Sequence, residues 1–140
     1  PDLAREHMEK SISLLDQFNL LHINDSIPQI ANYAMFLTEQ QEPERGISEL
    51  QKLSGIIKEY HSDHCLDYAK VQETLGTIYL MTANLPQAKT HLKRAFKIYE
   101  KIWTDEPEMI EAKYQEIQEL YPQVGFFLGQ QLSDFLTKQT

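Results

Sequence analysis

The sequence has little of what marks a secreted, membrane-spanning or nucleic-acid-binding protein. It contains a single cysteine, Cys65, so no disulfide can form within the chain, and a reducing compartment is favoured over secretion. No apolar run approaches the ~20 residues of a membrane-spanning helix, and no signal peptide is recognisable. Basic residues are also few, because 13 lysines and arginines oppose 21 aspartates and glutamates, a formal net charge of −8. This balance argues against nucleic acid or an anionic membrane as the main partner.

The patterns that carry catalysis are missing as well. The sequence has no phosphate-binding loop, no catalytic triad and no paired-carboxylate site, so we expect no enzymatic activity, no cofactor and no small-molecule substrate. Residue types that bind zinc do cluster at His61, Asp63, His64 and Cys65. They are too crowded for one tetrahedral site, and no second cluster supplies further ligands. We interpret this segment as a turn without metal, in which Cys65 lacks a partner that would activate it as a nucleophile.

Helical periodicity dominates what the sequence does contain. The stretch 75–103 predicts two helices joined by a turn at Asn84-Leu85-Pro86, because proline is tolerated in the first turn of a helix but not in its interior. The apolar residues of the second helix recur every three or four positions, at Ala88, Leu92, Ala95, Phe96, Tyr99 and Ile102. Gly76 and Ala88 are small enough for the two helices to approach closely, with Tyr79 and Leu92 between them.

The same pattern recurs with a fixed period of 42 residues. A shift of 42 aligns Ala34 with Gly76 and Gly46 with Ala88, and a second shift aligns Ala4 with Gly46. A period in this range is typical of stacked helical hairpins, because a single hairpin cannot bury its own apolar face. We therefore predict an all-α, right-handed α-solenoid of stacked antiparallel helix hairpins with about seven helices.

The spacing of large and small residues resembles a known repeat. The order Leu75, Gly76, Tyr79, Ala88, Leu92 and Ala95 resembles the tetratricopeptide repeat. Gln72 stands where that family usually has an aromatic residue. The period is longer than the common ~34 residues and is similar to that of the kinesin light chains. The resemblance implies a non-catalytic scaffold that binds a protein or peptide partner.

The period organises the chain as a single helical domain. Residues 1–23 are expected to be the second helix of a truncated repeat, 24–61 and 66–104 full repeats, and 105–140 a degenerate capping repeat. The expected helices cover 3–19, 27–40, 44–60, 66–82, 86–103, 108–121 and 124–138, with a cap at Asn24, Asp25 and Ser26 and another at Thr104 or Asp105. The buried stripe of the first helix is expected at Ala4, Met8, Ile12, Leu15 and Phe18. Because one helix of the first repeat is missing, we expect a piece of a longer protein.

Two surfaces are candidates for partner binding. The resemblance implies that a partner binds in the concave groove lined by the first helix of each repeat. The groove-facing positions transfer to Ala31, Met35, Thr38, Glu39, Lys70, Glu73, Thr77, Leu80 and Met81. The second surface is a basic stripe, Lys89, Lys93, Lys97 and Lys101 with Arg94 beside it, which either docks an acidic segment or is a solvated helix face.

A second resemblance gives an alternative function. Leu85-Pro86-Gln87-Ala88, followed by Ala95-Phe96 and Ile98, looks like part of the C-terminal helical domain of SET and MYND lysine methyltransferases. The alternative is therefore a regulatory helical domain of a larger enzyme, although the chain lacks the cysteine-rich zinc module and SET motifs of such enzymes. In either case we expect no nucleic-acid or membrane partner, and a cytoplasmic location with the nucleus as the alternative.

Overall fold

A computed structural model of the chain describes residues 2–17 and 26–138. These residues form seven α-helices and no β-strand, which confirms the all-α prediction. The helices are α1 (Asp2–Gln17), α2 (Ser26–Glu39), α3 (Pro43–Tyr60), α4 (Leu66–Met81), α5 (Leu85–Ile102), α6 (Pro107–Leu120) and α7 (Gly125–Lys138). A 3-10 turn, Pro122–Val124, leads into α7. Within the described ranges, no helix has the length and apolar character needed to cross a membrane.

Consecutive helices pack in pairs, as the repeat pattern predicts. The most extensive contacts join α4 to α5 and α2 to α3, and the same pairing joins α6 to α7. Further contacts of α1 with α2, α3 with α4, α2 with α4 and α5 with α6 stack one repeat on the next. The stack confirms a solenoid of tetratricopeptide-like hairpins.

Each of the two central hairpins closes on a pair of small residues. A β-carbon built at Gly46 on α3 would lie 2.6 Å from the carbonyl oxygen of Ala34 on α2. A β-carbon built at Gly76 on α4 would lie 2.7 Å from Cγ of Leu92 and 3.4 Å from the carbonyl oxygen of Ala88 on α5. The expected close approach is therefore present in both hairpins, with the glycine on the second helix in one and on the first helix in the other.

The turns inside these hairpins repeat as well. Gln41 and Ala83, which are 42 positions apart, both have a positive φ, at 68° and 61°. Asn84 N–H donates to the carbonyl oxygen of Tyr79, and the equivalent bond in the earlier hairpin runs from Glu42 N–H to Leu37. This is the left-handed helix ending that satisfies the last free carbonyl groups. The 42-residue period therefore repeats at the level of backbone conformation.

The core forms one continuous cluster through the stack. Helix α4 is buried on most of its surface because α2, α3 and α5 all contact it. The largest side chains that are almost fully buried are Tyr99, Tyr114, Phe96, Leu37, Leu50, Leu53, Ile57, Leu75, Ile78, Leu92, Ile110 and Leu128. Each buried side chain of this size contributes about 1.5–3 kcal/mol relative to an exposed one.

Some apolar residues that were expected on the buried stripes of α1 and α5 are exposed in the structure. Ala4 is exposed, while Met8, Ile12 and Leu15 are half-buried, because α2 is the main packing partner of α1. Phe18 lies outside the described residues. Ile102, the last residue of α5, is 41% exposed although its spacing places it on the buried stripe. The expectation was wrong at Ala4 and Ile102.

Helix starts also differ from the expected caps. Asn84 caps α5, and its side-chain oxygen accepts a hydrogen bond from the Gln87 N–H. Helix α6 begins after Glu106, which makes no side-chain cap, and the Thr104 hydroxyl instead donates to the carbonyl oxygens of Glu100 and Lys101. The cap expected at Thr104 or Asp105 was therefore wrong. Asn24 and Asp25 lie outside the described residues, so the expected cap there stays a prediction.

We predict opposite effects for two glycine-to-alanine substitutions on the same helix. Gly46→Ala should destabilise the protein by about 1–3 kcal/mol, because its new methyl group meets a backbone oxygen that cannot rotate away. Gly55→Ala should stabilise it by about 0.5–1 kcal/mol, because its methyl group meets no atom within 4 Å and alanine favours the helix. Thermal denaturation measures both, at about 3–5 °C per kcal/mol for a chain of this length. A melting temperature that Gly46→Ala leaves unchanged or raises would contradict the close approach.

Candidate functional site

The first candidate surface lies on α2 and α4, the first helices of the two central hairpins, which pack side by side. Lys70 and Met81 are exposed on α4, and Met81 retains 44% of its accessible surface. Thr77 is half-buried beside them, as Ala31 and Met35 are on α2. The expected groove thus has an accessible strip that mixes apolar and polar side chains. Glu39 is also exposed, at the end of α2.

Two expected groove residues are buried in the packing between helices. Thr38 is 8% exposed, and its hydroxyl donates to the carbonyl oxygen of Ala34 at 2.9 Å. It also contacts the close approach at Gly46. Leu80 is 5% exposed and lines a cavity of about 290 Å³ with Ala83, Leu85 and Gln123. These two side chains support the groove wall and offer little surface to a partner.

Glu73, a third groove position, already interacts within the fold. Its carboxylate accepts a hydrogen bond from the Tyr99 hydroxyl at 2.8 Å and pairs with Lys113 Nζ at 3.0 Å. The same ammonium group lies 5.8 Å from the centre of the Tyr99 ring. Burial raises the pKa of Tyr99 above its usual value, and the charge of Glu73 raises it further, so the phenol remains a donor. This network ties α4 to α5 and α6, and neither Tyr99 nor Lys113 stood out in the sequence as its partner.

The four lysines of the stripe face different neighbours. Lys89 Nζ lies 5.6 Å from the ring centre of Phe127 on α7, and Lys93 is exposed. Lys97 and Lys101 instead line a cavity on the side of α5 that faces α3. A spacing of four residues advances about 40° per step around an α-helix. The row therefore winds around α5 instead of following one straight line.

Three lysines and one arginine line that cavity, and we call it the basic cavity. It has a volume of about 520 Å³. Its lining comes from the end of α3, the α3–α4 turn, the first turn of α4 and α5, namely Lys58, Asp63, His64, Tyr68, Arg94, Lys97, Ile98 and Lys101. Asp63 is its only carboxylate and lies 3.3 Å from Nε2 of His64.

A buried glutamine positions one side of the basic cavity. Gln72 is 1% exposed, and its Oε1 is 2.7 Å from Nδ1 of His91 and 3.1 Å from Nη1 of Arg94. Its amide nitrogen donates to the Ser54 hydroxyl at 3.1 Å. The sequence marked Gln72 only as a departure from an aromatic position. In the structure it connects α3, α4 and α5 and fixes the guanidinium at the cavity rim.

His91 belongs to the same network. Burial lowers its pKa, and the charge of Arg94 lowers it further. The ring stacks on Tyr79, with 5.4 Å between ring centres. Because Oε1 of Gln72 can only accept a hydrogen bond, Nδ1 of the neutral ring carries the hydrogen.

The histidine–cysteine segment forms the turn between α3 and α4. Cys65 is the residue before α4, and its thiol contacts the carbonyl oxygen of Ser62 at 3.4 Å. Among the residues described, no three His, Cys, Asp or Glu side chains are placed to hold a metal ion together. The absence of a metal site stays a prediction.

Comparison with known proteins assigns the family. The family model for the tetratricopeptide repeat matches residues 26–101, more than half of the chain. The chain belongs to the tetratricopeptide-repeat family. Its matched part covers both central hairpins, α2–α3 and α4–α5, and the family indicates a scaffold for protein–protein interaction, typically without catalysis.

The same comparisons found no matching curated protein and no matching solved structure. The resemblances to kinesin light chains and to SET and MYND methyltransferases therefore stay predictions. The division into a truncated, two full and one capping repeat is also still a prediction. Phe126 on α7 is 90% exposed, whereas a capping repeat presents a polar outer face.

We predict that His91 makes stability depend on pH. Because its pKa is lower in the folded state than in the unfolded state, the unfolded chain binds more protons as the pH falls below about 6.5. The free energy of unfolding should therefore fall with pH in this window. His91→Gln keeps a polar side chain that does not titrate, so urea denaturation at pH 7.5 and 5.5 should show a smaller loss in this variant. If the free energy of unfolding falls equally in both proteins, His91 is not the source of the pH dependence.

Proposed function

We propose that this chain binds a peptide or helical segment of another protein in the concave groove lined by α2 and α4. The proposal is supported above all by the direct packing of α2 on α4, which places the accessible sides of two successive first helices next to each other. The ligand in this proposal is a protein, because a net charge of −8 disfavours nucleic acid.

The chemistry of the accessible strip fits a mixed apolar and polar segment. Met35 and Met81 provide unbranched, flexible side chains that adapt to different partner surfaces. Thr77 lies about one turn before Met81 on α4, although its hydroxyl already donates to the carbonyl oxygen of Glu73. Ala31 leaves room for a partner side chain, and Lys70 provides a charged edge. In this proposal these five residues contact the partner.

The remaining groove positions act indirectly in this proposal. Thr38 and Leu80 are buried and set the spacing of the helices beneath the strip. Glu73 pairs with Lys113 and so fixes α6 at the far wall. Lys93 is exposed on α5 and contributes only an electrostatic attraction to the partner. Added salt weakens this attraction, because exposed charges are screened within about 10 Å at 0.1 M salt.

A methionine pair provides a matched test of the groove. Met81 on α4 and Met109 on α6 are exposed to nearly the same extent, at 44% and 42%, but Met109 is not among the groove positions. Peptides selected from a random library on the immobilised protein are titrated into the wild type, Met81→Glu and Met109→Glu. We expect Met81→Glu to weaken binding at least about tenfold, since a few central contacts carry most of the binding energy. Met109→Glu should change it less than twofold.

Two results would contradict the groove proposal. The first is that Met81→Glu binds the selected peptides as tightly as the wild type. The second is that Met109→Glu weakens binding as much as Met81→Glu. Thermal denaturation of both variants establishes that they are folded, and both substitutions are expected to leave the melting temperature nearly unchanged because both side chains are exposed.

A further inference from the structure

Basic residues are concentrated around one cavity of an acidic chain. Among the described residues, four lysines and arginines line the basic cavity, but only one aspartate or glutamate does. Lys58, Arg94, Lys97 and Lys101 form no ion pair within 4.0 Å with any carboxylate of the described residues. The carboxylate of Asp63 is next to His64, and the charge of Lys97 also interacts with that of Glu100. Positive charge is therefore only partly compensated here.

The fold holds part of this charge in place. Arg94 is tied by its hydrogen bond to Gln72, which is itself buried and bonded to α3. Because Gln72 is neutral, it orients the guanidinium group without cancelling its charge. Tyr68 and Ile98, both buried, provide an uncharged wall between the cations. A guanidinium group held in place among exposed ammonium groups is an arrangement that suits a multiply charged anion.

We propose that the basic cavity binds a phosphoryl group carried by a serine or threonine of a partner polypeptide. A phosphorylated side chain has a charge of about −1.5 to −2 at pH 7 and three strong acceptor oxygens. It can therefore accept hydrogen bonds from Arg94 and from two lysines at once. A carboxylate carries one charge and two oxygens, and would leave most of the cations uncompensated. Arginine clusters recognise phosphorylated segments in this way.

The source of the phosphoryl group follows from the family and from the position of the site. The chain belongs to a family of protein-interaction scaffolds, so its ligand is a polypeptide. The basic cavity is lined by four residues of α5, two of the α3–α4 turn and one each of α3 and α4. It shares no residue with the groove positions on α2 and α4. The cavity is therefore a second binding surface, and it does not depend on the groove proposal.

The test uses short peptides that differ only at the central residue. Capped pentapeptides of alanine with phosphoserine, serine or glutamate in the middle are titrated into the whole chain, followed by amide chemical shifts at fixed ionic strength. We expect saturable binding of the phosphoserine peptide with shifts centred on residues 58–68 and 94–101. The serine and glutamate peptides should bind at least about tenfold more weakly.

Two double variants with the same change in charge separate the cavity from the general charge of the chain. Lys97→Gln with Lys101→Gln removes two cavity lysines, both exposed. Lys10→Gln with Lys138→Gln removes two exposed lysines outside the cavity. The cavity variant should weaken binding of the phosphoserine peptide about five- to thirtyfold, as expected for the loss of two charge pairs. The control variant should weaken it less than twofold.

Four outcomes would overturn the proposal. The first is that the phosphoserine peptide does not bind. The second is that both double variants weaken its binding equally, which would leave only a general effect of charge, and the third is that the glutamate peptide binds as tightly as the phosphoserine peptide, which would make this a site for carboxylates. The fourth is that inorganic phosphate, titrated in the same way, binds while the phosphoserine peptide does not, which would make the ligand a free anion. A melting temperature within a few degrees of the wild type for each variant shows that weaker binding is not due to unfolding.

Discussion

The close approach of two helices at small residues is the constraint on which the rest of the structure depends. At Gly46 and at Gly76 there is no space for a β-carbon, because the facing helix already occupies it. The contact sets the distance between the helices of each central hairpin, and with it the depth to which Leu92 and its neighbours are buried. Dispersion and hydrophobic gains fall steeply when such a contact opens. Both candidate surfaces are therefore rigid only while these hairpins remain closed.

Polar contacts then fix how one hairpin sits on the next. Glu73 reaches Tyr99 and Lys113, and Gln72 reaches Ser54, His91 and Arg94. Hydrogen bonds have a narrow range of distances and angles, so these networks fix the register between helices more strictly than apolar packing does. A half-satisfied network of this kind is costly to bury. Gln72 and Glu73 of α4 therefore act as positioning residues, although the spacing of Glu73 in the sequence is that of a groove residue.

The two proposed surfaces differ in chemistry because different side chains line them. The groove strip on α2 and α4 offers methionine, alanine and threonine with one lysine at its edge. The basic cavity, which has four of its eight lining residues on α5, brings three lysines and one arginine together. An apolar strip favours affinity through burial, whereas clustered charge favours selectivity and a dependence on salt. A scaffold with both surfaces can hold a partner segment in one and recognise a modified residue in the other.

The sequence by itself determined the helices, their pairing and the repeat, because those features follow from local patterns. Periodicity, the small residues at Gly46 and Gly76 and the prolines near helix starts act within a few residues or at a fixed period. Glu73 and Leu80 were predicted to line the groove because the spacing of residues along α4 shows only which side of the helix each side chain is on. It does not show which other helix covers that side. Tertiary structure decided that Glu73 pairs with Lys113 and that Leu80 is buried, since each depends on a neighbouring helix. The basic cavity also required the fold, because Lys58 of α3 and Lys97 of α5 line one cavity only when both helices pack against α4, and contacts between distant segments leave no periodic signal.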